Sequence, residues 1–252
     1  MNSNTGLADL CRAARTGQCI DLVKPVPWGG AVALALAPHP DDAEAIAVTL
    51  RLLATNGWQL RWAVVTSGWS GVQDDFVGPD QATKAAARRK EQRAAARLFG
   101  LPANRLAFLE LEETEDGALA ATKANRARLF QVLGKSTPDL ILLPWRLDSN
   151  ATHRLVYQWF AEWADGWPRP VVALGNEDPK TQEFQPHVRV LFAEQIARWK
   201  EKLLECHQSQ SARNLATRGH TFAARILAVN RTVPGIPEGH YAERFQAACW
   251  GC

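Results

Sequence analysis

The chain has 252 residues, of which 46% are hydrophobic and 22% charged, with a formal net charge of +3. This is an ordinary globular mix, and it excludes intrinsic disorder, a collagen-like repeat and a small disulfide scaffold. The charge excess is too small to argue by itself for a nucleic-acid protein. Length predicts one large domain or two small ones, with a sizeable core; with no internal repeat and no clear interdomain linker, residues 1–252 are read as one domain. Met1 to Lys24 carries charges throughout and lacks the apolar stretch of a secretory signal, so a cytoplasmic protein is expected. The longest apolar run, Ala31 to Pro38, is far too short to span a membrane. Five cysteines at irregular spacing do not read as a disulfide framework. Cys249 and Cys252 form a C-x-x-C, for which a frayed tail with incidental thiols is expected over a redox or metal role.

Short apolar runs alternate with longer helical patterns. Ala31 to Ala37 is apolar throughout and stops at Pro38, as a central parallel strand does. A helix is expected over Asp41 to Asn56, then a strand over Leu60 to Thr66 and a long loop from Ser67 to Pro79. Gln81 to Gly100 reads as a helix dense in Ala and Arg, followed by a strand over Arg105 to Leu109. A helix over Leu119 to Leu133, a buried strand over Asp139 to Pro144 and a helix from His153 to about Ala164 follow. Strands over Pro170 to Leu174 and His187 to Phe192 precede one or two helices between Ala193 and Val229. The alternation predicts an α/β, Rossmann-like three-layer fold with a mostly parallel sheet covered by helices on both faces. Ligands in such folds bind beyond the carboxyl ends of the strands, where the strand order reverses.

The turn after the first apolar strand reads Pro38-His39-Pro40-Asp41-Asp42-Ala43-Glu44. It has none of the glycines that let backbone approach a pyrophosphate, and its carboxylates would repel phosphate, so nucleotide binding is disfavoured there. His39 and Asp42 can place a nitrogen and an oxygen on one divalent ion, leaving Asp41 as a free carboxylate suited to general-base work. The competing reading is a plain helix start, with acids complementing the helix dipole. A third ligand should come from another carboxyl-end loop, and His153 alone among the remaining histidines follows a buried strand through a polar loop into a helix. Packing or surface exposure is the ordinary fate of a single histidine; its placement singles His153 out.

The turn is similar to the A-H-P-D-D-E signature of the PIG-L/LmbE-like zinc deacetylases, and further motifs of that family follow in order. They are Val64-Val65-Thr66, the Arg88, Glu91, Ala95, Gly100 series, Asp116-Gly117, Pro138-Asp139, His207-Gln208-Ser209-Gln210 and Tyr241-Ala242-Glu243-Arg244-Phe245. The likeness spans about residues 30 to 246. It implies one zinc ion per chain on His39, Asp42 and His153, with Asp41 as the base that activates a zinc-bound water. It implies removal of an N-acetyl or other N-acyl group from a small amino-sugar or glycoconjugate substrate, with Arg88, Asp116 and Asn150 as substrate contacts. Two departures stand out. The family's usual His-Pro-Asp-His is here Asn150-Ala151-Thr152-His153, and Ala43 sets Glu44 one residue late. A group that would orient a ligand or act as a charged acid is thereby altered, so metal binding is expected to survive better than turnover of the usual substrate.

Other readings carry less. A noncatalytic, metal-dependent carbohydrate-binding protein is the main alternative, motivated by the altered second motif. The basic helix 84–97 sets Arg89, Arg93 and Arg97 at one spacing, with Lys84 and Arg88 on a second row. A solvated face explains it more simply than an anionic ligand, and no nucleic-acid module accompanies it. Gly68-Trp69-Ser70-Gly71 falls short of the serine-hydrolase elbow. Trp69 and Trp145 are candidates for stacking on a sugar, whereas Trp159 and Trp163 are expected in the core.

Overall fold

The structure, a computed structural model, describes residues 4–27, 30–231, 233 and 235–251. The elements run β1 (Asn4–Thr5), α1 (Leu7–Thr16), β2 (Ile20–Asp21), β3 (Lys24–Pro25), β4 (Val32–Ala37), α2 (Ala47–Thr55), β5 (Gln59–Val64) and α3 (Asp74–Val77). They continue through α4 (Gln81–Phe99), β6 (Leu106–Phe108), α5 (Lys123–Ser136), β7 (Leu140–Pro144), α6 (Ala151–Asp165) and β8 (Val171–Asn176). The last are β9 (Val188–Ala193), α7 (Glu194–Leu204), α8 (Gln208–Arg218), α9 (Phe222–Arg231) and β10 (His240–Trp250). Eight strands form one sheet in the order β2-β9-β10-β8-β7-β4-β5-β6, all parallel to their neighbours except β10, which runs antiparallel to β8 and β9.

Both faces of β4 are buried, which is why its sequence is apolar without alternation. Ala33, Ala35 and Ala37 pack on the side covered by α1, α2 and α7, while Leu34 and Leu36 pack with α5 and α6 on the other. β4 pairs with β5 on one side and β7 on the other, with Ala37 opposite Val64 and Ala33 opposite Leu140. From β4 the chain steps outward to β5 and β6, then returns to place β7 and β8 on the opposite side of β4. The β4–β7 boundary is therefore the point where strand order reverses, and ligands are expected above it. Among the described residues no helix is long and apolar enough to cross a membrane.

Several expectations need correction. The helix expected from Asp41 starts with a 3-10 turn at Glu44–Ile46 and becomes α-helical only at Ala47, because Asp41 sits at φ 109° and cannot belong to a right-handed helix. The helix expected from Leu119 starts at Lys123, where the Thr122 side chain accepts from the Asn125 N–H as an N-cap. The 67–79 loop contains a 3-10 turn at Trp69–Gly71 and the single turn α3. Three helices, not one or two, follow β9. The C-terminal C-x-x-C is no frayed tail: Cys249 lies in β10, opposite Val172 of β8, and is disulfide-bonded to Cys11 of α1. Cys252 lies outside the described residues.

β10 also reaches across to the site-bearing part of the fold. Buried Glu243 accepts from the Val48 N–H at 3.0 Å, the Thr49 N–H at 2.7 Å and the Thr49 hydroxyl at 2.6 Å, satisfying first-turn donors of α2. Its charge is answered by Lys200 of α7, whose ammonium donates to Glu243 at 2.7 Å, to Asn230 at 2.7 Å and to the Ala45 carbonyl at 2.5 Å. Burial lowers the Lys200 pKa, and Glu243 offsets only part of that.

Glu243→Ala leaves Lys200 buried without a counter-charge and should destabilise the protein by about 3–5 kcal/mol in urea unfolding. A loss below about 1 kcal/mol would contradict this role for the pair. Cys11→Ser should lower unfolding free energy by about 2–4 kcal/mol under oxidising conditions and by nothing when both proteins are reduced.

Candidate metal centre

The turn between β4 and α2 is held in an unusual shape. Pro38 and Pro40 stiffen it, and Asp41 takes a left-handed backbone conformation that costs a non-glycine residue about 1–3 kcal/mol. Helix α4 fixes it there. The Asp41 N–H donates to Gln92 Oε1 at 3.0 Å, the Arg88 guanidinium donates to the Pro40 carbonyl, and Arg88 Nη2 lies 3.2 Å from Asp41 Oδ2. Arg88 and Gln92 are one helical turn apart and both buried, so the row expected to be solvated is an internal brace. Lys84 on the same row is also buried and pairs with Asp74.

The same turn brings His39 and Asp42 together, and α6 delivers His153 from the neighbouring strand. His39 Nδ1 lies 3.3 Å from Asp42 Oδ2, His153 Nε2 lies 3.5 Å from that oxygen, and the two imidazole nitrogens are 3.2 Å apart. Metal–ligand bonds of about 2.0–2.1 Å at tetrahedral angles put ligand atoms about 3.4 Å from one another. This triangle has the right size for one ion. His153 Nδ1 is 2.9 Å from Asp148 Oδ2 and 3.6 Å from Asp178 Oδ2, and the Asp148 contact fixes which nitrogen faces the triangle. The electrostatics also favour a cation. Burial opposes a charge on His153, yet Asp42 and Asp148 outweigh it and push its pKa up to about 10. Burial likewise opposes ionisation of Asp42, but His153 and His39 hold its carboxyl well below the usual range. His39 behaves oppositely: burial lowers its pKa, leaving a neutral imidazole suited to coordination.

These groups open into a cavity of about 320 Å³. His39, Asp41, Asp42, Arg88, Asp116 and Asn150 all line it, whereas His153 lies fully buried behind. Asn150 is also the N-cap of α6, accepting from the Thr152 and His153 N–H groups. Thr152 turns its hydroxyl to the Leu119 N–H at 3.0 Å, which ties the loop carrying Asp116 to α6. Gly117 (φ 80°) lets that loop pack against Ser70, whose side chain a Cβ there would meet. Neither candidate stacking tryptophan lines the cavity: Trp145 is buried against Tyr157, and Trp69 lies outside the lining. Trp159 and Trp163 are in the core.

The remaining motifs act as supports. Ser209 donates twice to Glu91, at 2.7 Å from both its N–H and its hydroxyl, and Gln210 donates to the Gly71 carbonyl at 2.9 Å. Buried His207 Nε2 lies 3.4 Å from Glu44 Oε2, while Gln92 donates to Glu44 Oε1 at 2.6 Å. The residues that sequence reasoning missed are Asp148 and Asp178 behind His153, and Asn176, Lys180, Arg213, Arg218 and Arg225 on the cavity wall. The strand-to-helix loop 144–153 held a signal for Asp148. The arginines of α8 and α9 had none, because nothing in their spacing ties them to the β4 turn.

Fold and site together define a Rossmann-like protein with a candidate metal centre at the carboxyl ends of its strands. The PIG-L family model, described as GlcNAc-PI de-N-acetylase, matches residues 34–164, and the chain belongs to this PIG-L/LmbE-like family. No curated protein matches it significantly. It is similar in structure to the N,N'-diacetylchitobiose deacetylase from Pyrococcus horikoshii, with TM-score 0.71, 21% identity and coverage of 87% of this chain and 84% of that one. A triple mutant of a deacetylase involved in the teicoplanin biosynthetic pathway gives TM-score 0.64, 16% identity and coverage of 87% and 99%. The 4-carboxy-2-hydroxymuconate hydratase from Pseudomonas putida KT2440 gives TM-score 0.61, 19% identity and coverage of 86% and 96%. At these identities the likenesses show the shared fold.

Asp148→Asn should weaken divalent-metal uptake by roughly 10–100-fold, read by competition with a chromogenic chelator. Unchanged affinity would remove Asp148 as the support of His153.

Proposed function

We propose that this protein is a metal-dependent amide hydrolase that removes an N-acetyl or other N-acyl group from an amino sugar or glycoconjugate. The observation that carries this reading is the His39–Asp42–His153 triangle beside the Asp41 carboxylate, which stays outside the triangle, on one cavity at the point where strand order reverses. The family description and the deacetylases among the structural relatives support the same reaction class.

His39, Asp42 and His153 would hold the ion, and zinc suits two imidazoles and a carboxylate, though other divalent ions accept the same donors. Bound there, such an ion supplies Lewis acidity toward a water and an amide carbonyl. Asp41 takes the proton that the attacking water gives up as its oxygen joins the carbonyl carbon. The same proton then passes from Asp41 to the nitrogen as the C–N bond breaks, leaving a carboxylic acid and a free amine. Arg88 holds the carboxylate of Asp41 in place through Oδ2. Asp116 and Asn150 lie on the wall where sugar hydroxyls would sit. With Asn150 in place of a charged residue, Asp41 carries both proton transfers alone. We read the chain as one domain, a reading supported by a cavity lining that runs from His39 to Ile226.

The purified protein should take up one zinc per chain, and His153→Ala should lose it. Asp41→Asn should keep the metal and lose amine release from N-acetylglucosamine conjugates by about 10²–10⁴-fold. A wild type that binds no divalent metal overturns the proposal. Metal uptake without amine release from any N-acyl compound would point instead to a metal-dependent carbohydrate-binding role.

A further inference from the structure

About half of the lysines and arginines are answered by a carboxylate or an aromatic ring, and most of the others are exposed to solvent. Arg88 pairs with Asp41, Arg89 with Glu110, Arg126 with Glu162, Arg189 with Asp21 and Arg244 with Glu177, while Arg51 lies over the ring of Trp199. The cavity wall is different. Lys180, on the loop after β8, and Arg213, Arg218 and Arg225, on α8 and α9, all line it. Among the described residues none of the four has a carboxylate oxygen within 4.0 Å, and the side chains of Arg213 and Arg225 make no hydrogen bond. Arg218 reaches only neutral oxygens, Asn214 Oδ1 at 3.5 Å and Thr217 Oγ1 at 3.0 Å.

These charges also repel one another. Arg213 and Arg225 are half-buried, and burial together with Arg218 lowers the pKa of both; Arg88 adds to the effect on Arg213, and Arg213 to that on Arg225. Asp41 opposes the shift on each, and Asp178 opposes it on Arg225, without cancelling it. Like charges collected on one concave wall are unfavourable in the free protein and attract an anion to it. The arrangement follows from helical spacing: Gln210, Arg213, Asn214 and Arg218 recur at three- and four-residue intervals, so one face of α8 points into the cavity. Guanidinium forks match the paired oxygens of a carboxylate or phosphate, whereas an uncharged sugar gives them no counter-charge. All four cations lie outside residues 34–164, the stretch that matches the family and holds the metal triangle.

We infer that Arg213, Arg218 and Arg225 form a subsite for an anionic substituent, a phosphate or carboxylate, on the part of the substrate that remains after deacylation. This rests on the deacylase reading for the acyl end of the substrate, while the charge recognition is a separate property of α8 and α9.

The test is calorimetric binding to the zinc-loaded protein, using N-acetylglucosamine, its 1-phosphate, its 6-phosphate and N-acetylmuramic acid as probes. At least one charged probe should bind about tenfold or more tightly than N-acetylglucosamine, with a preference that shrinks as salt rises. Arg213→Gln and Arg225→Gln should bring that ratio close to one, with melting temperature and zinc content checking that each variant is folded. Arg198→Gln, an exposed α7 arginine paired with Glu194, should leave the ratio unchanged. Preference for a sugar phosphate identifies phosphate as the group; preference for N-acetylmuramic acid identifies carboxylate. Equal binding of charged and neutral probes, no binding of any charged probe, or a preference that survives both substitutions overturns the inference. Amine release followed in parallel separates the two claims. Release without charge preference leaves the hydrolase and removes the subsite, and charge preference without release from any probe does the reverse.

Discussion

Everything at the centre of this protein depends on one turn being held against its own backbone preference. Residues 38–44 must present His39 and Asp42 to each other, keep Asp41 apart from them, and do so with Asp41 in a conformation L-residues avoid. A proline-stiffened loop does not hold such a shape unaided. The buried side chains of α4 supply the restraint, Gln92 on the Asp41 N–H and Arg88 on both the Pro40 carbonyl and the Asp41 carboxylate. Those two are in turn bounded by Glu44 and Glu91, which His207, Gln92 and Ser209 partner. Motifs far apart in sequence are thus successive layers around a single strained turn.

This view explains which parts of the protein could be read from sequence. The apolar runs of β4 and β7 are legible because both faces of a central parallel strand are buried, and α4 ends where Gly100 allows a left-handed cap. The position of His153 at the end of a second buried strand followed from the same rule about strand ends. The start of α2 was misplaced because acids after a proline look like a helix beginning, and nothing local reports that Asp41 is left-handed. β10 was invisible for a different reason. Its alternation of Tyr, Ala, Glu, Arg and Phe includes a buried glutamate, which makes sense only once Val48, Thr49 and Lys200 are known to surround it. Asp148 and Asp178 act on His153 from behind, and such contacts have no fixed spacing. The Cys11–Cys249 bond spans 238 residues, a pairing that no count of cysteines discloses.

The site also divides by origin. His39, Asp41, Asp42, Arg88 and His153, the groups assigned to the reaction, project from the turn after β4, from α4 and from the first turn of α6, inside the stretch that matches the family. The opposite wall comes from the loop after β8 and from α8 and α9, beyond that stretch. A fold arranged this way can keep one chemistry and exchange the wall that meets the rest of the ligand.

The capping of α2 by Glu243 has a consequence for the order in which the molecule is assembled. The carboxylate stands 194 and 195 residues along the chain from the amides it satisfies, on a strand inserted between β8 and β9. A nascent chain that has emerged only as far as α9 leaves β8 and β9 unjoined and the first turn of α2 without its acceptor. Contacts this distant in sequence form slowly, because loop closure must precede any gain from them. Until β10 has paired with β8 and β9, the helix that follows the His39–Asp42 turn therefore lacks the acceptor for its first-turn amides.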